Sequence, residues 1–430
     1  MRWRRPTEGG ESSGFEARAN QMRRVVRRSR DVILISAVTG ALVGGAVRAF
    51  EFIVLEVLLH RVVNLPLALL ALAPVAGITI SALLLRFAGP RLSQATADEY
   101  LRAFHDPSYR LSPRAVFVRI TASIVTLGSG GALGIEGPSI YGGSAVGQWI
   151  QQRLPGPFRN ADHRTLLVAG AAAGVAAVFK APATGAIFAI EVPYRDDLAR
   201  RTLLPALVAS ASGYLVFVSL STTEPIFRIV EVPQFAVRDL FGAVLIGITC
   251  AIGARVFAQL IRWAKAFSMR SIGVRLLVGS VGLLALFALS QRLTGENLTI
   301  GSGYEVVTSW LADPELAAWV VVMVFVMRAL AAGLTLGAGG VGGVFIPLVV
   351  SGALVGRAVG EVLNPERYTF YTFIGMAAFL GAGYRVPLAA VMFVAETTGK
   401  PNFVVPALFA AVAAELFMGE QSVTPFQRRP

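Results

Sequence analysis

The chain has 430 residues, of which 55% are hydrophobic and only 15% charged, and it carries a formal net charge of +13. Soluble domains hold roughly 25% charged residues, so this composition excludes a disordered chain, which would have too little to bury. It also argues against a soluble enzyme, because runs such as Leu65–Leu85, Thr202–Thr223, Leu240–Ala254 and Ala329–Gly356 contain no charge at all. A bilayer core takes about 20 apolar residues per helix, and the chain reads as an all-α polytopic membrane protein.

In chain order, residues 1–30 form an Arg-rich tail with nine arginines against Glu8, Glu11 and Glu16. Basic flanks stay on the cytoplasmic side of a membrane, so the run is read as a topology signal rather than a nucleic-acid site. It has no apolar core of the kind a cleaved signal peptide needs. The chain closes on Gln427-Arg428-Arg429-Pro430, which places both termini inside and requires an even number of crossings. Between the tails, two membrane repeats are expected at 31–220 and 221–418, followed by a short C-terminal tail at 419–430 with no soluble domain after it. The single cysteine, Cys250, excludes a disulfide framework, and three scattered histidines leave little for metal binding. No cofactor is expected. Neither an H-E-x-x-H nor a G-x-S-x-G element occurs, so no enzyme activity is expected either.

The repeats are legible directly. Residues 128–147 lie over 337–356 at a constant offset of 209, with eight of twenty positions identical, among them Gly130, Gly131, Gly134, Pro138, Gly143 and Gly147. Residues 170–191 lie over 375–396 at an offset of 205, with seven of twenty-two identical. Transporters often place their site where paired Gly/Pro-interrupted helices of two halves meet. In the first half Gly134-Ile135-Glu136-Gly137-Pro138 is a loop feeding a helix N-terminus, and Gly342-Gly343-Val344-Phe345-Ile346-Pro347 repeats the design. Unpaired N–H groups and the positive end of the helix dipole favour an anion at such a place. Tight helix packing through small residues is a second use of the same glycines, notably Gly143 and Gly147. Packing does not account for Glu136, an acid within an apolar segment and therefore a functional candidate. Like charges 4 Å apart repel by roughly 4 kcal/mol at an effective dielectric of 20. Glu136 and a bound anion therefore exclude each other unless the carboxyl swings away or takes a proton, and either makes it a gate.

These residues resemble the CLC family of chloride channels and chloride/proton exchangers, of the prokaryotic type without C-terminal CBS domains, from about Ser93 onward. GIEGP at 134–138 resembles the family's G-x-E-G-P motif with its gating glutamate. GGVFIP at 342–347 resembles the G-G-x-F-x-P motif whose amides coordinate the central anion, and residues 179–191 and 384–396 match two further stretches. The resemblance implies two inverted-topology repeats of broken, tilted helices, a homodimer with one pore per subunit, and a plasma (inner) membrane location. It also implies chloride or a similar small anion beside the amides of Val344, Phe345 and Ile346, with Glu136 and the amides of Gly134, Ile135 and Gly137 just outside.

Three departures follow. The family's G-S-G-x-P signature has no clean counterpart near residues 91–97, where Ser93 is the nearest hydroxyl. A pore tyrosine near the C-terminus is replaced by Ser422-Val423-Thr424-Pro425-Phe426, in which Thr424 could offer a hydroxyl. The inward-facing proton-relay glutamate of exchangers falls at Val192, and this favours a passive chloride channel, with a chloride/proton antiporter as the alternative. A cation-coupled transporter of organic solutes would need more intramembrane acids. Glu191 and Glu396 are expected to be helix-end anchors, and Lys180 and Arg385 either line an anion vestibule or snorkel to the interface.

Overall fold

The structure, a computed structural model, describes residues 9–88, 93–156, 162–227 and 236–429. The start of the Arg-rich tail lies outside the described residues, as do the side chains of 9–29. The described residues form an all-helical bundle. α1 (Gly9–Glu51) passes through a π-helical stretch, Phe52–Leu59, into α2 (His60–Val63). The first half continues with α3 (Leu67–Ala88), α4 (Thr96–His105), α5 (Pro113–Gly128), α6 (Glu136–Arg153), α7 (Arg164–Phe179), α8 (Pro182–Glu191) and α9 (Leu203–Ser219). The second half comprises α10 (Asp239–Phe267), α11 (Ile272–Thr294), α12 (Tyr304–Thr308), α13 (Ala318–Ala338), α14 (Phe345–Leu363), α15 (Tyr368–Tyr384), α16 (Pro387–Thr398) and α17 (Val404–Met418). Eight helical stretches among the described residues are long and apolar enough to cross a membrane.

The halves have inverted topology, and the same packing devices recur in both. Gly143 of α6 faces Gly170 of α7 so closely that a Cβ there would lie 2.3 Å from the Gly170 carbonyl oxygen. The counterpart pair, Gly352 of α14 and Gly375 of α15, repeats the approach at the same 2.3 Å. Only glycine permits this contact, and it accounts for the small residues of both repeats. Both α7 and α15 end on a non-glycine residue in the left-handed region, Lys180 at φ 51° and Arg385 at φ 55°. Each of these corners is followed by a proline at the first turn of the next helix, Pro182 or Pro387, where a missing N–H costs nothing.

The junction between the halves rests on an exchange of carboxylates. Glu191, at the end of α8, accepts the N–H groups of Leu388 (3.1 Å) and Ala389 (2.8 Å) at the start of α16. Glu396 near the end of α16 accepts the N–H groups of Ala183 (2.9 Å) and Thr184 (2.7 Å), together with the Thr184 hydroxyl (2.7 Å), at the start of α8. Each helix thus supplies the anionic cap for the other's N-terminus, where orphan donors and the dipole both call for one. Arg385 is paired with Glu415 (2.6 Å) and Asp196 (3.0 Å). It is therefore neutralised locally, contrary to the vestibule role considered for it. Lys180 donates to the Thr222 hydroxyl at 3.0 Å.

The path of the chain also sets which ends share a face. Gly40 and Gly44 of α1 lie against Ala209 and Gly213 of α9, and Arg48 reaches the carbonyl of Leu220, so the two helices run in the same direction. The segment before α9 pairs with the C-terminal segment in an isolated bridge, Arg195 N–H to Arg428 O (3.1 Å) and Arg428 N–H to Pro193 O (3.2 Å). The start of α1 and the end of the chain therefore lie on one face.

Replacing Glu396 with Ala leaves two backbone donors and a hydroxyl at the α8 start without their acceptor. A loss of about 2 kcal/mol follows from unsatisfied donors of this kind, read as a lower thermal midpoint in detergent. Glu396→Gln, which keeps one acceptor oxygen, gives a smaller drop. Equal midpoints for wild type and Glu396→Ala would contradict the capping role.

Candidate functional site: three helix N-termini around Gly342 and Gly343

Gly342 and Gly343 form the hub. Gly343 exchanges two backbone hydrogen bonds with Gly134: its N–H donates to Gly134 O (2.8 Å) and its carbonyl accepts the Gly134 N–H (2.9 Å). Gly342 bridges Ala95, directly ahead of α4. The starts of α4, α6 and α14 consequently converge on two residues, and the irregular backbone between them satisfies itself, as non-helical chain at membrane depth must. Glycine is required here for close approach: a Cβ on Gly137 would lie 2.7 Å from the Gly343 Cα and 2.7 Å from the Thr96 hydroxyl.

Glu136, the first residue of α6, is 1% exposed. Its Oε1 accepts the N–H of Phe345 at 2.8 Å and that of Ile346 at 3.3 Å, and the residue's own N–H also points back at the carboxylate. Its Oε2 is buried with no hydrogen-bond partner. A carboxylate of one repeat thus sits on the helix N-terminus of the other, on the donors that an anion would use. At the 209-residue offset the counterpart of Glu136 is Phe345 itself, so one equivalent position carries the acid and the other supplies an amide that holds it.

The other candidates divide. The N–H of Gly134 is committed to Gly343, which removes it from the anion donors expected of that loop. Ile135 is buried and its carbonyl accepts the Ser139 hydroxyl at 2.8 Å. Gly137 packs on Gly343 and Thr96. The Val344 N–H faces the Tyr384 hydroxyl rather than Glu136. Ser93 turns its hydroxyl to the N–H of Ala95 (3.2 Å), and its carbonyl holds Arg119 Nε (3.0 Å). Thr424 is buried, and its hydroxyl accepts the N–H of Phe426 at 3.4 Å. Val192 is buried and its carbonyl accepts Gln427 Nε2 at 3.0 Å. The neighbouring Glu191 points away, into its cap on α16.

The sequence reading missed Thr96. Its hydroxyl is fully buried, has no partner, and lies beside the Gly137–Gly343 crossing. The one signal for it is the Asp98-Glu99 pair that marks the first turn of α4 and makes Thr96 the hydroxyl at a helix start. The position of α4 is held by Glu99, buried against Arg119 (3.1 Å) and receiving the Tyr109 hydroxyl (2.5 Å). The same Arg119 donates to the Tyr141 hydroxyl of α6 at 2.8 Å, tying α4, α5 and α6 together. Below α4 opens a cavity of about 1050 Å³, lined by Ser93 and Asp98 and by Arg86, Arg102, Lys265, Arg270 and Arg275. Lys265 pairs with Asp98 at 2.6 Å, and the excess of cations makes this mouth attractive to anions.

Residues 76–419 match the family model described as voltage gated chloride channel. The chain belongs to the CLC family. Among similar proteins, one of Ralstonia nicotianae named as a ClcB-like chloride channel protein is 28% identical over 353 residues, covering 79% of this chain and 80% of its own. The H(+)/Cl(-) exchange transporter ClcA of Salmonella newport is 26% identical over 430 residues, covering 93% of this chain and 88% of its own. Among solved structures, a CLC-type fluoride/proton antiporter superposes with a TM-score of 0.77 at 22% identity, over 93% of this chain and 98% of that one. This likeness extends the CLC fold to the whole described bundle.

A Cβ on Gly343 would lie 2.2 Å from Glu136 Oε1 and 2.6 Å from the Gly137 nitrogen. In this CLC protein Gly343→Ala is expected to evict the Glu136 carboxylate from the α14 amides and to lower the thermal midpoint. A structure of the variant with the carboxylate still on Phe345 and Ile346 would refute that expectation.

Proposed function

We propose that this CLC protein is a proton-coupled anion exchanger that moves chloride across the membrane, with Glu136 as both gate and proton carrier. The carrying observation is the seat of the Glu136 carboxylate on the N–H groups of Phe345 and Ile346. An anion can take those donors only when the carboxylate leaves. Leaving is easiest after protonation, since a neutral carboxyl no longer competes for a dipole end. Re-seating requires the proton to be given up, so one cycle links an anion moving one way to a proton moving the other.

The absence of an acid at Val192 favoured a passive channel in the sequence. Two considerations now favour exchange. A relative matched over 93% of this chain is named an H(+)/Cl(-) exchange transporter, whereas the one named a chloride channel protein is matched over 79%. Glu136 also sits, buried at 1% exposure, on the donors an anion would use, so an anion takes them only when the acid is displaced or neutralised. The basic cavity beside α4 and the Arg-rich N-terminal run support a cytoplasmic placement for the face that carries the start of α1 and the segment around Arg428. The CLC resemblance supports a homodimer with a separate pathway in each subunit.

Reconstitution in liposomes with opposed chloride and pH gradients tests the reading. The reversal potential is expected to shift with pH as well as with chloride, and chloride entry to drive proton exit. A potential that follows chloride alone would return the protein to the channel class. Glu136→Gln is expected to abolish proton coupling while anion flux persists and loses its pH dependence. Unchanged flux and pH dependence in that variant would remove Glu136 from the mechanism.

A further inference from the structure

Glu415 lies in the last turn of α17, where every other residue of the helix is uncharged. An acid in a membrane span is a functional candidate by default. Its Oε1 pairs with Arg385 Nη2 at 2.6 Å, and its Oε2 is buried without a hydrogen-bond partner. Arg385 is also paired with Asp196 at 3.0 Å and donates to the carbonyl of Gly419. Two carboxylates therefore share one guanidinium. With both ionised the trio carries one negative charge, and a single proton balances it. Neutralising Arg385 needs only one of the two acids, so charge pairing alone does not account for Glu415.

The trio adjoins the relay position that Val192 leaves without a carboxylate. Gln427 Nε2 donates to Val192 O (3.0 Å) and to the carbonyl of Tyr384 (2.6 Å), the residue directly before Arg385. Those two acceptors fix the orientation of the carboxamide, since the reverse would set its oxygen against two carbonyls. Gln427 Oε1 is then left buried without a partner, as are Arg385 Nε and Arg195 Nε. Buried donors and acceptors left over in one neighbourhood call for internal water, which satisfies both kinds. The ring of Tyr384 closes an aromatic box around Phe345 with Phe179, Phe188 and Phe393, at centroid distances of 4.5 to 6.4 Å. Phe345 in turn holds Glu136 on its N–H. A line of contacts thus runs from Glu415 through Arg385, Gln427 and Tyr384 to the seat of Glu136. At its other end the Glu415 side chain is 24% exposed, close to the segment that Arg428 bridges to Pro193. The remaining charged groups about it are Glu191, committed to its cap on α16, and Arg255 of α10, which donates to Met418 O at 3.0 Å.

We propose that Glu415 is the inward proton acceptor of the exchange cycle, in place of the carboxylate that Val192 lacks, with water on Gln427 Oε1 joining it to the interior. The inference rests on the exchange reading above and assigns its inward proton step. A proton released by Glu136 passes along water to the Glu415 carboxylate, which becomes neutral while Asp196 keeps Arg385 paired. Glu415 then loses that proton to the adjacent aqueous face and is again an anion against Arg385. Only O–H bonds form and break, and the relay acid ends each cycle as it began.

The test measures chloride-driven proton movement and chloride flux side by side in liposomes, for wild type, Glu415→Gln, Glu415→Asp and Asp196→Asn. Glu415→Gln is expected to slow proton movement about a hundredfold, the lower end of what a positioned acid contributes to proton transfer. Chloride should still pass, and the reversal potential should move to the chloride value, because Glu136 then exchanges protons from the outer side alone. Glu415→Asp, which keeps a carboxyl, should retain coupling, and Asp196→Asn should leave it at the wild-type level. Adding Val192→Glu to Glu415→Gln should restore coupling, which a loss of architecture would not allow. If Glu415→Gln fails to assemble, the double variant Glu415→Gln/Arg385→Gln removes anion and cation together and is read in the same way. Wild-type coupling in either overturns the proposal, as does uncoupling by Asp196→Asn instead. Wild-type liposomes whose potential follows chloride alone defeat the exchange reading itself, so the two failures are told apart.

Discussion

The structure is organised around one contact: the Glu136 carboxylate of one repeat sits on a pair of backbone N–H groups of the other, donors of the kind an anion would use. Phe345 and Ile346 open α14, where the helix leaves donors unpaired and its dipole is positive. Glu136 opens α6 in the other repeat, and the double hydrogen bond between Gly134 and Gly343 brings the two starts within reach. Because like charges cannot share so small a site in a low-dielectric interior, occupancy by one ligand demands departure of the other. Gating needs no lid or domain movement on this account. It needs only that a side chain change its charge or its rotamer.

The rest of the fold keeps that competition at close quarters. Glycine crossings let α6 lie on α7 and α14 on α15 with backbones in contact, so that the loops at their starts are placed to within a side-chain width. The exchanged caps of Glu191 and Glu396 lock α8 to α16 on the other side of the aromatic box around Phe345. Glu191 is thereby spent on architecture. The acid next to the expected relay position is thus engaged in a cap on α16. On the exchange reading proposed above, a proton reaches Glu136 without a carboxylate at Val192, whose carbonyl accepts the Gln427 amide.

Much of this was legible in the residues. The constant offsets of the two repeats, the scarcity of charge and the lone acid among glycines pointed to a two-fold anion site with Glu136 at its entrance. The expectation failed where a backbone group had to be allotted to one of two uses. Gly134 and Gly343 have the same sequence signature as anion-binding loops, but their amides pair with each other, and only their neighbours remain as donors. The same holds for hydroxyls: Ser93 and Thr424 lie where linear comparison places them, and both are turned to local N–H groups.

Sequence alone determined the membrane class, the duplication and the one acid set among the glycines of the first repeat. These depend on composition and periodicity, which survive any rearrangement of side chains. Tertiary structure alone decided which amides hold Glu136, which glutamates are caps, and which hydroxyls are taken by local N–H groups. Those choices depend on hydrogen bonds between groups about 200 residues apart, such as Glu136 with Phe345 and Glu396 with Thr184. A pairing of that kind leaves no local pattern in the chain, since each partner's preference is met equally well by several others until the fold brings one of them within 3 Å.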